Sequence, residues 1–340
     1  MARDRQRRGR GGWLIGLIVV LALLWIGYWF LAHYAAQTAL AKLTVPRGQT
    51  QVTCGATDVS GFPLRLDVRC DSPAYADGTA VNASIGTVRA TAPLYLPGSV
   101  SADIDGPLLV NAPGHDIGLT VTWTSARANA KAGLGGIDGA DAAFTTFHAE
   151  NTGPLPKLGI VGATAETAGG GFASAGGGSY RITADATHLA LTDASRTLPP
   201  IELALDATAN SVGDLGFHPE PAILTWLRGT PSVTLTNLRL AMSGAIVTAS
   251  GNLSLSKEGK LNGTLLLQYN SSAALADLIE VLKPGTRDKY APAIQALGVM
   301  SKPVNTPDGQ ALQTTVSFLD GIVFLTILPL PIDPIPPIHF

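Results

Sequence analysis

Residues 13–31 form an unbroken run without a single charge behind an arginine-rich start, and no other feature constrains the chain so tightly. At 1.5 Å per residue such a helix spans roughly 28 Å, about the hydrocarbon thickness of a bilayer. Arg3, Arg5, Arg7, Arg8 and Arg10 precede it against Asp4 alone. Positive flanks stay on the cytoplasmic side, which predicts a cytoplasmic tail at residues 1–12 and an exported body. Trp13 marks one interface; Trp25, Tyr28, Trp29 and Tyr34 mark the other, where amphipathic rings settle.

A cleaved signal peptide competes with this reading, because Ala39-Leu40-Ala41 has a small-x-small pattern. Signal-peptide apolar cores run about 7 to 15 residues, so the longer run favours an uncleaved anchor. A soluble core helix is disfavoured because the run has no polar face. Residues 32–48 read as a helical extension and linker, ended by Pro46 and Gly48. Residues 49–340 then form the exported body, as one domain or as two halves, 49–212 and 213–340.

Charged residues make up 14% of the chain, and 38 Gly and 23 Pro punctuate it. This balance, rich in Thr, Val, Leu and Ala, suits strands and turns better than long helices. The expected fold is mainly β: large antiparallel, curved or sandwich-like sheets with a few short helices behind one transmembrane helix. Beyond the first ten residues acidic side chains outnumber basic ones and no basic stripe occurs, which argues against nucleic acid as a partner.

Cys54 and Cys70 are the two cysteines. In an exported domain they are expected to pair, with two buried free thiols as the alternative; no C-x-x-C marks a redox pair. Ser60-Gly61-Phe62-Pro63 reads as a turn, and a hairpin centred on Phe62 sets residue 54 opposite residue 70. In its second strand Leu64, Leu66, Val68 and Cys70 share one face and Arg65, Asp67 and Arg69 the other. Further on, Leu119, Val121 and Trp123 alternate with threonines, and Ile201, Leu203 and Leu205 with Glu202, Ala204 and Asp206.

The clearest hairpin covers 247–269. Lys257-Glu258-Gly259 makes a three-residue loop with Gly at the left-handed position. Pairing about Glu258 sets Leu255 opposite Leu261, Leu253 opposite Gly263 and Gly251 opposite Leu265, so that Leu253, Leu255, Leu261, Leu265 and Leu267 share one face. A helix capped by Ser272 follows, with Leu275, Leu278, Ile279 and Leu282 on one stripe and Lys283-Pro284-Gly285 as its stop. A shorter helix is expected within 286–297, limited by Pro292, and another at 221–228. The triplets Gly169-Gly170-Gly171 and Gly176-Gly177-Gly178 are expected to bracket a flexible or sharply turning stretch. The Pro-rich residues 328–337 read as extended chain.

No catalytic, cofactor-binding or metal-ligating constellation emerges. His33, His115, His148, His188, His218 and His339 are scattered without ligand spacing. There is no G-x-S-x-G or H-E-x-x-H, and Gly133-Leu134-Gly135-Gly136 lacks the lysine of a phosphate loop. Asp103 with Asp105, and Asp138 with Asp141, are carboxylate pairs of the kind that decorate turns, with calcium as a weak alternative.

The order of membrane helix, Ser60-Gly61-Phe62-Pro63-Leu64-Arg65-Leu66 between two cysteines, and Ala249-Ser250-Gly251-Asn252-Leu253 with Gly259-Lys260-Leu261-Asn262-Gly263 before a leucine-rich helix resembles the envelope-protein family called domain of unknown function 2125. Asp320-Gly321-Ile322-Val323-Phe324-Leu325 and the Pro-rich end extend that resemblance over nearly the whole chain. More distantly the chain is similar to AsmA-type proteins, which implies an anchored, β-rich protein with a role in envelope lipid homeostasis. The resemblance carries no catalytic residues.

The leading expectation is therefore a non-enzymatic, single-pass inner-membrane protein, bulk in the periplasm. It binds a lipid or another apolar envelope component on a face made of Leu119, Val121, Trp123, Leu253, Leu255, Leu261, Leu265 and Leu267. The alternative is a structural or interaction protein of the envelope, with a protein partner and a closed β-rich core.

Overall fold

A computed structural model describes residues 8–45, 50–78, 81–112, 117–133, 135–151, 160–193, 196–216, 220–282, 285–325, 328–330 and 333–338. Four helices occur among them: α1 (Arg8–Leu43), α2 (Glu220–Arg228), α3 (Ser272–Leu282) and α4 (Arg287–Met300). All the strands join one hydrogen-bonded antiparallel sheet. Residues 1–7 of the expected tail, Pro46, Gly48, Leu134, Lys283, Pro284, His115, His218 and His339 lie outside the described residues.

Most of α1 is apolar on every side, as the charge-free run dictates. Leu17–Thr38 is long and apolar enough to cross a membrane. Leu21, Leu24, Phe30, Leu31 and Tyr34 are exposed, whereas Trp29 on the opposite side is buried.

The sheet is an up-and-down meander whose first five long strands are each broken once. The near limb holds Ala56–Ser60, Arg65–Asp71, Val88–Pro93, Ser99–Ile104 and Ser125–Gly133. The far limb holds Thr50–Thr53, Ala74–Asp77, Val81–Ser84, Leu108–Ala112 and Ile117–Thr122. Neighbouring long strands pair on both sides of the break. At the breaks stand Gly55, Ser72-Pro73, Gly86 and Gly106-Pro107, residues that either cannot donate to a ladder or let backbones approach closely. A Cβ on Gly86 would lie 2.5 Å from the carbonyl oxygen of Asp105. The ladder resumes across the crease through Gly55 N–H to Asp71 O (2.8 Å), Ile85 N–H to Pro73 O (3.0 Å) and Asp105 N–H to Thr87 O (2.8 Å).

The meander continues through Gly136–Asn151, Ile160–Gly176 and Ser179–Asp193, where Thr146 and His188 at positive φ carry the crease onward. Ile201–Asn210, Ser232–Met242, Ala245–Leu255, Leu261–Tyr269 and Gly309–Leu319 follow in order. Lys302–Thr306 and Ile322–Leu325 share the far edge of Gly309–Leu319. The Pro-rich end is extended and runs along this edge, with Leu330 N–H on Val323 O, Ile335 N–H on Gly321 O and Ile338 N–H on Gly259 O.

The hairpin at 247–269 has the expected register, residue for residue. Four local expectations change. The first hairpin sets Thr57, not Cys54, opposite Cys70, because Cys54 lies past the strand end at the crease. The bend at Gly55 returns it to Cys70, and the disulfide forms with Cα atoms 5.6 Å apart. Gly169-Gly170-Gly171 lies inside a strand paired on both sides, and only Gly176-Gly177-Gly178 forms a turn. A side chain on Gly171 would meet the backbone of Ala140 and Asp141, so the triplet serves close strand approach. The cap of α3 is Ser271, whose Oγ accepts from Ala274 N–H at 3.0 Å; Ser272 is already helical. Finally, α4 has 14 residues and is longer than α3, with Pro292 inside its first half.

The two cysteines are separated by 16 positions, and a link closing a loop of this size restricts the unfolded chain by about 3 kcal/mol. Cys54→Ser with Cys70→Ser should lower unfolding stability by that order. Urea melts of oxidised and double-variant protein check this, and coincident midpoints would contradict it.

Candidate functional site

Because side chains alternate along every strand, the registers decide which residues share a face. One row of directly paired residues runs Val59, Val68, Ala90, Ala102, Ala128, Ala142, Gly170, Ala184, Leu205, Leu238, Ala249, Leu267. A second row, nearer the near-limb tips, runs Val100, Ala130, Ala140, Phe172, Ile182, Ala207, Leu235, Gly251, Leu265, Val316, Leu325. A third, nearer the crease, runs Ala126, Phe144, Ala168, Ala186, Leu203, Leu240, Val247, Tyr269, Leu312. These three rows share one face of the sheet and hold no charge.

The opposite face is polar over the same strands. One residue along from the first row, Asp58, Arg69, Arg89, Asp103 and Arg127 are paired in sequence, and Arg239, Thr248, Gln268 and Gln313 continue the far part. The Asp103 carboxylate accepts from the Arg127 guanidinium, Asp105 pairs with Arg89, and Asp141 accepts from Asn129. These carboxylates thus have protein partners. The Arg181 guanidinium holds the Asp206 carboxyl below its usual range, and Arg239 does the same to Asp308. Such exposed pairs contribute little stability each. His188 also sits on an exposed site, with Glu166 at 3.0 Å and Glu202 at 3.7 Å.

The apolar face is covered at both ends; between them its first two rows are open, while Ala126 and Ala186 of the third row are buried. Near the N-terminal end, Trp25, Trp29, Ala32 and Ala36 of α1 pack on Val59, Leu66, Val68, Ala92 and Leu94. At the other end, Leu275 and Leu278 of α3, Leu297 of α4, and Leu330 and Ile335 of the tail pack with Tyr269, Val316, Val323 and Leu325. Between them, across Ser99–Ile104 to Ser179–Asp193, Val100 and Ile182 are exposed and Ala102, Ala128, Ala142, Phe172 and Ala184 half-buried. A trough of about 390 Å³ lies there, lined by Val100, Ala102, Ala128, Ala140, Gly170 and Phe172. Five neighbouring strands at a spacing of about 4.8 Å make this stretch roughly 19 Å long. A second, more polar cavity of about 640 Å³ lies between α1 and the crease, lined by His33, Gln37, Thr44, Cys54 and Asp58 among others.

The sequence-derived residues fall in different parts of this face. Leu253, Leu255, Leu261, Leu265 and Leu267 are half-buried on it, and Leu267 packs against the cluster beneath α3 and α4. Leu119 and Val121 lie on the far limb; Val121 is buried and pairs with Ala149, which leads through Ala163 to Leu191 of that same cluster. Trp123 stands at the crease, its Nε1 donating to Ile104 O at 2.8 Å and its ring 5.5 Å from Phe144. The bare alanines and Phe172 were not among the sequence candidates. Their signal is the alternation Ala126-Arg127-Ala128-Asn129-Ala130-Lys131, which small side chains make faint.

The description "Uncharacterized protein conserved in bacteria (DUF2125)" belongs to a family whose model matches residues 29–336. Comparison with curated proteins and with solved structures finds no match. The more distant AsmA-type likeness is not among these findings.

Proposed function

We propose that this chain, which belongs to the bacterial DUF2125 family, is a membrane-anchored, non-enzymatic carrier of lipid or another apolar envelope component. The observation that carries the reading is the uncovered part of the apolar face, an extended trough with a charged back. Contiguous exposed apolar surface of this kind is uncommon on a protein that binds nothing. An acyl chain laid across the strands would contact Val100, Ala130, Phe172 and Ile182 along one row, each buried methylene contributing about 0.8 kcal/mol. Small side chains along the rows leave room for it, and the ends of the trough are already packed. The arginines among the first ten residues support an inner-membrane orientation with the N-terminus cytoplasmic and the sheet periplasmic.

The test is photo-crosslinking in living cells from Val100 and Ile182, with native mass spectrometry of the extracted protein. Adducts to phospholipid or glycolipid, and lipid retained in fixed proportion, are the expected result. A folded protein with neither, or with adducts to a protein alone, would favour the structural reading.

A further inference from the structure

We propose that the two near-limb tips beside α1, residues 61–64 and 94–96, are inserted in the outer leaflet of the bilayer that α1 spans. The proposal rests on the anchored-carrier reading and says where the carrier meets its lipid. Trp25 lies inside the apolar stretch Leu17–Thr38, and its Nε1 donates to Pro63 O at 2.9 Å. Trp29, one turn on, donates to Arg65 O at 3.2 Å. At 1.5 Å per residue Trp25 stands roughly 9 Å before Leu31, the end of the charge-free run. A turn bonded to Trp25 is therefore held within the depth of the spanning helix, not above it.

The side chains there suit that depth. Phe62 (55%), Leu64 (58%), Tyr95 (64%) and Leu96 (54%) are all exposed, on two turns joined by Leu94 N–H to Leu64 O at 3.0 Å. Aromatic and aliphatic tips of this kind settle at the headgroup and upper acyl level. Arg65, exposed on the same turn, has a stem long enough to carry its charge outward. Further along this edge the tips become charged, with Lys257 and Glu258 at the loop after Ala245–Leu255. The described part of the opposite edge carries Asp77, Asp193 and Asp308.

The helix also fixes the direction. Past Trp29 it runs toward the crease, where His33, Gln37 and Thr44 face Cys54 and Thr57, so the near-limb tips are the membrane side of the sheet. Val100, the first residue of the bare row, lies four residues after Leu96, past the uncharged Pro97-Gly98-Ser99, and is itself exposed. The inserted tips and the trough thus form one apolar path, along which an acyl chain passes from leaflet to sheet without crossing a charged row.

Depth-resolved fluorescence on the full chain in phosphatidylethanolamine–phosphatidylglycerol vesicles tests this. Bimane is attached at L96C, F62C or, as control, K257C; the native cysteines are paired and do not label. The expected result is a blue shift and loss of emission with doxyl-labelled lipid at Leu96 and Phe62, and quenching by aqueous iodide at Lys257 alone. Leu96 carries the decision if loss of the Phe62–Trp29 ring contact impairs folding. Iodide quenching at Leu96 equal to that at Lys257 overturns the insertion. If lipid still co-purifies in that case, the carrier reading stands without it; inserted tips on a lipid-free protein would uphold the insertion and remove the carrier reading.

Discussion

Trp29→Ala should cost the protein about 3–5 kcal/mol, the range for deleting a buried indole. Trp29 is 8% exposed on a helix whose outward face is open; it stacks on His33 of the same helix and reaches from there into the sheet. Its ring meets Phe62 edge-on at 5.2 Å and packs with Leu66 and Leu94, while its Nε1 donates to Arg65 O. Truncation would leave a cavity at the first row of the apolar face and an unmet carbonyl at the turn. Tyr34→Ala on the same helix removes a ring that is 68% exposed and should cost under about 0.5 kcal/mol. Denaturant melts of both variants in detergent, followed by near-ultraviolet circular dichroism, compare them directly. Equal midpoints for the two would mean that α1 and the sheet do not pack as described.

Parts of this architecture were legible in the sequence, and the reasons differ from element to element. The hairpin at 247–269 was readable to the residue, because period-two patterning and a three-residue loop with Gly259 leave a single register that buries the leucines. The long apolar helix α1 was readable because nineteen uncharged residues in a row favour a helix with no polar face. The crease was not. It breaks each early strand into two short runs, so the limbs read as separate strands, and Thr146 and His188 carry no composition cue for positive φ. The cysteine pairing was legible while its register was not, for the same reason: the break at Gly55 moves Cys54 out of the ladder. Glycine triplets misled because the residue that opens a turn is also the one that lets strands lie close, as Gly171 does against Ala140. The leucines singled out as a ligand face were the conspicuous ones; of them Leu267 packs against the cluster beneath α3 and α4, and Leu253, Leu255, Leu261 and Leu265 are half-buried. What stays bare is lined mostly by alanine, whose apolar character is evident only once registers align it across strands.

That distinction sets the strongest test of the trough itself. Ala142 sits at the middle of its bare stretch, flanked in the ladder by Ala128 and Gly170 and half-buried against open space. Ala142→Asp puts a carboxylate where an acyl chain would lie, with alanine and glycine as its direct ladder partners and no cation on that face in the three rows. Excluding water from an unpaired charge costs several kcal/mol, and about 1.4 kcal/mol is tenfold in binding. Retained lipid should therefore fall on the order of a hundredfold or more. The open trough lets the unliganded variant keep its carboxylate hydrated, so its melting curve should stay close to that of lipid-free wild type. Ala142→Phe acts by volume alone and should also reduce lipid, whereas Ala143→Asp, one residue along on the charged back beside Arg127, should leave it unchanged. Native mass spectra of the three variants decide the matter. Undiminished lipid in Ala142→Asp would exclude this face as the binding surface, and equal loss in Ala143→Asp would mean that the effect came from the fold and not from the trough.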